Sequence, residues 1–228
     1  RQDLARITTL TGAWLRGEAA PAGPPADMAT PPVIRDTASA AMPPAAPGAT
    51  RTAPPATPAP SVPAFDDREA RLEALAREAS ACQACPLGAG RTRSVFGQGN
   101  PRAELFLVGE APGEEEDRQG IAFCGPSGEL LEKMLAAIGL DRDTVYIANL
   151  LKCRPPGNRK PAPDELGRCR HFLEAQLGIV RPRLVCTLGA AATQALLGTQ
   201  AGISRLRGSV HDWQGIPLVP TWHPAYLL

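Results

Sequence analysis

The distribution of proline constrains this chain more than any other feature. Thirteen of the 25 prolines fall within residues 19–63, together with 14 alanines, four charges (Asp27, Arg35, Asp36, Arg51) and no aromatic ring. Proline fixes φ and removes a backbone donor, so it interrupts helices and sheets. Alanine buries too little surface to offset the entropy of ordering such a segment. Residues 19–63 therefore read as a disordered, extended linker. Residues 1–18, RQDLARITTLTGAWLRGE, read as a short helical segment and a candidate docking element for a protein partner. Residues 64–228 are long enough for one globular domain with its own core.

From Asp66 onward there are 19 Lys+Arg and 19 Asp+Glu, so the basic excess usual in a nucleic-acid binder is missing. The charges are nevertheless segregated. Residues 110–117 carry five acids, and residues 152–183 carry eight bases against three acids. An acidic pocket beside a basic ridge fits this pattern, and so do two solvated helix faces. No apolar run approaches the roughly 20 residues that span a bilayer, and no basic-then-apolar leader is present. A cytoplasmic monomer is expected. The sequence opens on Arg1 and closes inside an apparent motif, HPAYLL, so a longer chain is expected at both ends.

Periodicity predicts helices over 66–81, 127–138, 163–177 and 190–197. Short apolar runs predict strands over 104–109, 145–151, 184–188 and 216–221. Strands alternating with helices indicate an α/β domain, with a mainly parallel four-stranded sheet covered by helices on both faces. Ligands of such sheets bind beyond the carboxyl ends of the strands. Those ends run into Gly109-Glu110-Ala111-Pro112-Gly113, into 149–154 and into Trp222-His223-Pro224.

Of six cysteines, Cys82 and Cys85 form a C-x₂-C pair at the end of a helix rather than between a strand and a helix. That position favours metal ligation over a redox pair. Cys153 and Cys169 best complete the set. One tight pair plus two scattered thiols leaves both zinc and an iron–sulfur cluster open, with spacing leaning toward the cluster. Cys186 reads as a small buried hydrophobe, and Cys124 as packing near the site.

The runs GEAPGEEED (109–117), IAFCGPSGELL (121–131), YIANLLKCRPPGNRKP (146–161) and HPAYLL (223–228), with these four cysteines, resemble the family 4 uracil-DNA glycosylases. The resemblance spans residues 66–228. It implies a three-layer α/β/α sandwich, a [4Fe-4S] cluster on Cys82, Cys85, Cys153 and Cys169, and excision of uracil from single- or double-stranded DNA. Relatives that trap DNA covalently carry a basic insert after the second-strand motif. Asn149 and Cys153 are only four residues apart, so a hydrolytic enzyme is expected. Family 4 sequences more often have valine where Cys124 stands, and they continue past HPAYLL with an arginine and a helix.

Breaking the N-glycosidic bond of uracil needs the base out of the stack and its developing negative charge stabilised. Phe123, flanked by a glycine-rich loop, is the candidate platform, although a core ring would look the same. Asn149 can accept from uracil N3–H and donate to O4, a pattern cytosine reverses. An Asx turn is its ordinary alternative. His223, with backbone amides near Glu110 and Ala111, is the candidate donor to the O2 oxyanion. His171 and His211 read as ordinary loop or core histidines. Family 1 enzymes place an aspartate where Ala111 stands, so Glu110, Glu116 or Asp117 is left to position water, or Glu116 to exclude the methyl of thymine. Leaving-group stabilisation is then expected to dominate, with His223 outweighing Glu116. Arg154 and Arg159 are expected to meet DNA phosphates. A non-catalytic iron–sulfur or zinc nucleic-acid-binding module, or a glycosylase-like domain tethered to a replication protein, stands as the alternative.

Overall fold

Unbroken apolar runs make strands that are buried on both faces, and such strands occupy the middle of this fold. The computed structural model describes residues 67–228. The helical reading of 1–18, the linker reading of 19–63 and the first residues of the expected domain lie outside the described residues. The described part begins with α1 (Arg68–Ala81), α2 (Leu87–Gly90) and β1 (Gln98–Gly99). Next come β2 (Leu105–Gly109), α3 (Glu114–Gln119), α4 (Pro126–Ala136) and β3 (Tyr146–Asn149). α5 (Pro163–Val180), β4 (Leu184–Leu188), α6 (Ala190–Leu197) and α7 (Ile203–Leu206) precede β5 (His211–Trp213) and β6 (Ile216–Thr221).

The sheet has six strands in the order β1-β3-β2-β4-β6-β5. The inner four are mutually parallel and are the four that the apolar runs predict. The correction is at the edges, where β1 and β5 pair antiparallel and make the sheet mixed. Strands of two and three residues are too short to show a period of two. The β5–β6 turn also lacks the usual Asn-Gly signal, because Gln214 (φ 53°) and Gly215 (φ 82°) supply the two positive-φ positions.

Successive strand residues point to opposite faces, and each face has its own core. Phe106, Val108, Tyr146 and Val185 pack with Leu72 of α1, Leu173 and Leu177 of α5 and Leu196 of α6. Leu105, Leu107, Ile147 and Leu184 pack with Leu131 and Leu135 of α4. Helix layers on both sides give the expected three-layer sandwich. A smaller cluster joins Ala79 and Leu87 to Leu151, Cys153, Cys169 and Phe172, so the end of α1, the chain after β3 and α5 meet at one corner. Among the described residues, no helix is long and apolar enough to cross a membrane.

Candidate active site and cysteine cleft

The carboxyl ends of β2 and β3, with the chain leaving β6, open onto a cavity of about 400 Å³. That size suits a small ligand. Its wall includes Glu110, Ala111, Glu116, Phe123, Asn149 and His223, so these six candidates share one space, whereas Asp117, the third candidate for positioning water, is not on it.

Asn149 ends β3 and is 2% exposed, and its Oδ1 is buried without a hydrogen-bond partner. A buried polar atom left unpaired costs free energy and marks a place prepared for a ligand. Gly109 makes this geometry possible. A Cβ there would lie 2.3 Å from Asn149 Oδ1 and 2.6 Å from Phe123 Cζ. The Asn149 carbonyl accepts from Lys152 Nζ at 2.8 Å, and Lys152 also donates to Gln176 Oε1 at 2.6 Å. Burial drops the Lys152 ammonium to about 7, against a weaker upward pull from Cys169.

Phe123 is buried, with its ring centroid 5.6 Å from that of His223 and the planes 29° apart. His223 follows β6 by two residues, and Ala225 N donates to its Nδ1 at 3.1 Å. With Nδ1 accepting, the neutral ring carries its proton on Nε2. Burial lowers the His223 pKa, opposed by the nearby charge of Glu116.

The three acids proposed for water differ sharply in their surroundings. Glu116 accepts from Gly113 N (3.1 Å) through Oε2, and from Cys124 N and Gly125 N (both 3.0 Å) through Oε1. Asp117 is buried and turned to Thr92 N, at 3.0 and 3.1 Å. Glu110 is half-buried on the pocket wall, and among the described residues its carboxylate takes no hydrogen bond. Burial raises its pKa, partly offset by Lys160.

Cys82, Cys85, Cys153 and Cys169 line a second, smaller cleft with Arg91 and Phe172. Arg91 Nη1 donates to Cys153 Sγ at 2.9 Å, and Lys152 N to Cys169 Sγ at 3.4 Å. Among the described residues, no three His, Cys, Asp or Glu side chains close on a single-ion site. Tetrahedral zinc with bonds of about 2.3 Å would need its sulfurs about 3.8 Å apart. The four thiols share one cleft, so they are the residues that could hold a common metal centre. Cys186 is buried in β4, as expected of a small core residue, and burial pushes its thiol up to about 12.

The family model described as the uracil DNA glycosylase superfamily matches residues 96–228. The chain belongs to that superfamily. Among its relatives is the type-4 uracil-DNA glycosylase of Thermotoga maritima, 44% identical over 163 residues, or 71% of this chain and 85% of the relative. That of Sulfurisphaera tokodaii is 41% identical over 166 residues, covering 69% and 76%. That of Archaeoglobus fulgidus is 42% identical over 165 residues, covering 69% and 83%. The resemblance to family 4 is borne out by these relatives.

Within this glycosylase domain the two charge runs resolve into local structure. Glu114, Glu115, Glu116 and Asp117 form the first turn of α3, where acids complement the helix dipole. Arg154 pairs with Glu114 at 2.9 Å, and Arg159 pairs with Glu165 at 2.6 Å. The two arginines expected at phosphates are thus already engaged by acids of their own chain. His171 and His211 bond backbone carbonyls of Arg168 and Leu206, away from the pocket wall. Sequence reasoning missed Lys152 and Gln176 behind Asn149. A lysine within a basic run carries no sign that it folds inward.

Proposed function

We propose that this chain is a DNA-repair hydrolase that excises uracil from DNA and leaves an abasic site. One observation carries the reading: the unpartnered Oδ1 of Asn149, buried at the wall of the cavity that His223 also lines. The target base leaves the stack, at a cost of a few kcal/mol, and stacks on Phe123. Asn149 accepts from uracil N3–H through Oδ1 and donates its amide to O4. Cytosine offers a lone pair at N3 and a donor at C4, leaving both groups of the asparagine opposed. As the glycosidic bond lengthens, charge gathers on uracil O2. The Nε2–H of neutral His223 donates to it, helped by backbone amides at Glu110 and Ala111. Glu110, with its unengaged carboxylate, orients the water that attacks the sugar, and Glu116 holds the Phe123 loop.

Cys82, Cys85, Cys153 and Cys169 hold a [4Fe-4S] cluster in this reading. The cluster has a structural role, tying the end of α1 to α5 and to the chain after β3. The enzyme acts as a cytoplasmic monomer, and residues 1–18 offer a protein-docking segment.

The test is incubation with oligonucleotides carrying one uracil, cytosine or thymine, single- and double-stranded, followed by alkaline cleavage. Cleavage at uracil alone is expected. Binding without an abasic product would support the non-catalytic module instead. Visible absorbance of the purified protein separates iron–sulfur from zinc, because zinc absorbs no visible light.

A further inference from the structure

The backbone of residues 122–125, which presents Phe123 to the pocket, is held by side chains from three other parts of the chain. Gln98 of β1 accepts from Ala122 N and donates to Ala122 O, both at 3.1 Å. Glu116 of α3 takes the amides of Cys124 and Gly125. Arg142, in the connection from α4 to β3, donates through Nη1 to Ala122 O at 2.9 Å and through Nη2 to Phe123 O. Its Nε pairs with Glu132 of α4. Between these clamps Phe123 sits at φ 53°, in the left-handed region that a bulky residue avoids. Such a conformation persists where its surroundings over-determine it, and it collects at ligand sites. Gly128 adds to the constraint: a Cβ there would lie 1.7 Å from Phe123 O, so the first turn of α4 packs directly on that carbonyl.

We propose that Arg142 is a positioning residue for base excision, fixing the left-handed turn that sets Phe123 as a platform before the base arrives. The inference rests on the reading of Phe123 as that platform. Arg142 is absent from the pocket wall, so it acts through the loop and not on the base. The planar guanidinium can reach two successive carbonyls and a carboxylate at once, whereas a lysine ammonium is a point donor. Preset geometry of this kind enters the rate through orientation.

A double-mutant cycle tests it, with Phe123→Ala, Arg142→Gln, Arg142→Lys and the double variant Phe123→Ala/Arg142→Gln. Single-turnover excision from a uracil oligonucleotide is measured against enzyme concentration, and melting temperatures are recorded in parallel. Arg142→Gln is expected to lower the limiting rate about tenfold. Arg142→Lys keeps a charge near Glu132 and loses the fork, so it should show most of the same loss with a melting temperature near that of the parent. In the Phe123→Ala background the Arg142→Gln effect should shrink to about twofold or less, because the two residues act as one unit. An equal loss with and without Phe123, or a parent-like rate in both Arg142 variants, would overturn the inference. A parent-like rate in Phe123→Ala would instead sink the platform reading on which it stands.

Discussion

The base pocket and the cysteine cleft share one stretch of chain, from Asn149 to Cys153, and they are built on opposite plans. The pocket is roomy and keeps polar groups in waiting: an unpartnered carbonyl oxygen on Asn149, an unengaged carboxylate on Glu110 and a neutral ring on His223. The cleft is small, and its thiols sit against Leu151, Phe172 and Ala79 in an apolar corner. In the proposed reading, one region takes a ligand that enters and leaves and the other holds one that stays. Lys152 lies between them. Its ammonium supports the Asn149 carbonyl, while its backbone amide points at Cys169 Sγ. A cluster held in the cleft would therefore steady the end of β3, where Asn149 sits.

The largest effect should come from Asn149→Ala, which removes the proposed reader and leaves the cleft alone. Excision is expected to fall by about 10³-fold, with visible absorbance unchanged. Loss of absorbance in this variant would show that the two regions are not separable. Cys153→Ser should do the converse. It is expected to bleach the absorbance and lower the melting temperature, since metal binding contributes folding free energy. Excision should drop about tenfold through the shared segment. Unchanged activity after bleaching would detach the cleft from the pocket.

Acid pH should touch the pocket first. Burial holds His223 below its usual 6.5, so the ring stays neutral until the pH falls below that value. Protonation would put a hydrogen on Nδ1, against the Ala225 amide that it now accepts from. Glu110 is raised above its usual 4.5, so its carboxylate is also lost on the acid side. The excision rate should be flat near neutrality and fall on the acid side, as His223 and Glu110 take up their protons in either order. An acid limb lying above pH 6.5 would contradict the burial argument. The smallest effect belongs to Arg154→Glu. With Arg154 already paired to Glu114, the logarithmic salt slope of DNA binding should change by about one or less.

The inner strands were legible because LFLV, YIA and LVCTL are unbroken apolar runs, and burial on both faces requires such runs. Asn149 and His223 were legible as candidates because they end or follow a strand, and Phe123 because its loop between α3 and α4 is bracketed by Gly120 and Gly125. The rest depended on contacts between distant parts of the chain. Gln98 and Arg142 clamp the Phe123 loop from 19 or more positions away, with no local pattern to reveal them. Lys152 looked like one more base in a basic run, yet it is 1% exposed. Arg154 and Arg159 looked available for phosphates until the fold placed Glu114 and Glu165 beside them. Pairing across 40 residues, as between Glu114 and Arg154, is set by topology and leaves no trace in spacing.

The central claim is that the donor to the departing base outweighs the group that orients water. Single-turnover excision by His223→Ala and by Glu110→Gln, measured at neutral pH on the same uracil oligonucleotide, tests it directly. His223→Ala should be slowed by about 10²- to 10³-fold, the usual cost of one lost oxyanion donor, and Glu110→Gln by clearly less. A Glu110→Gln enzyme slower than His223→Ala would contradict the account.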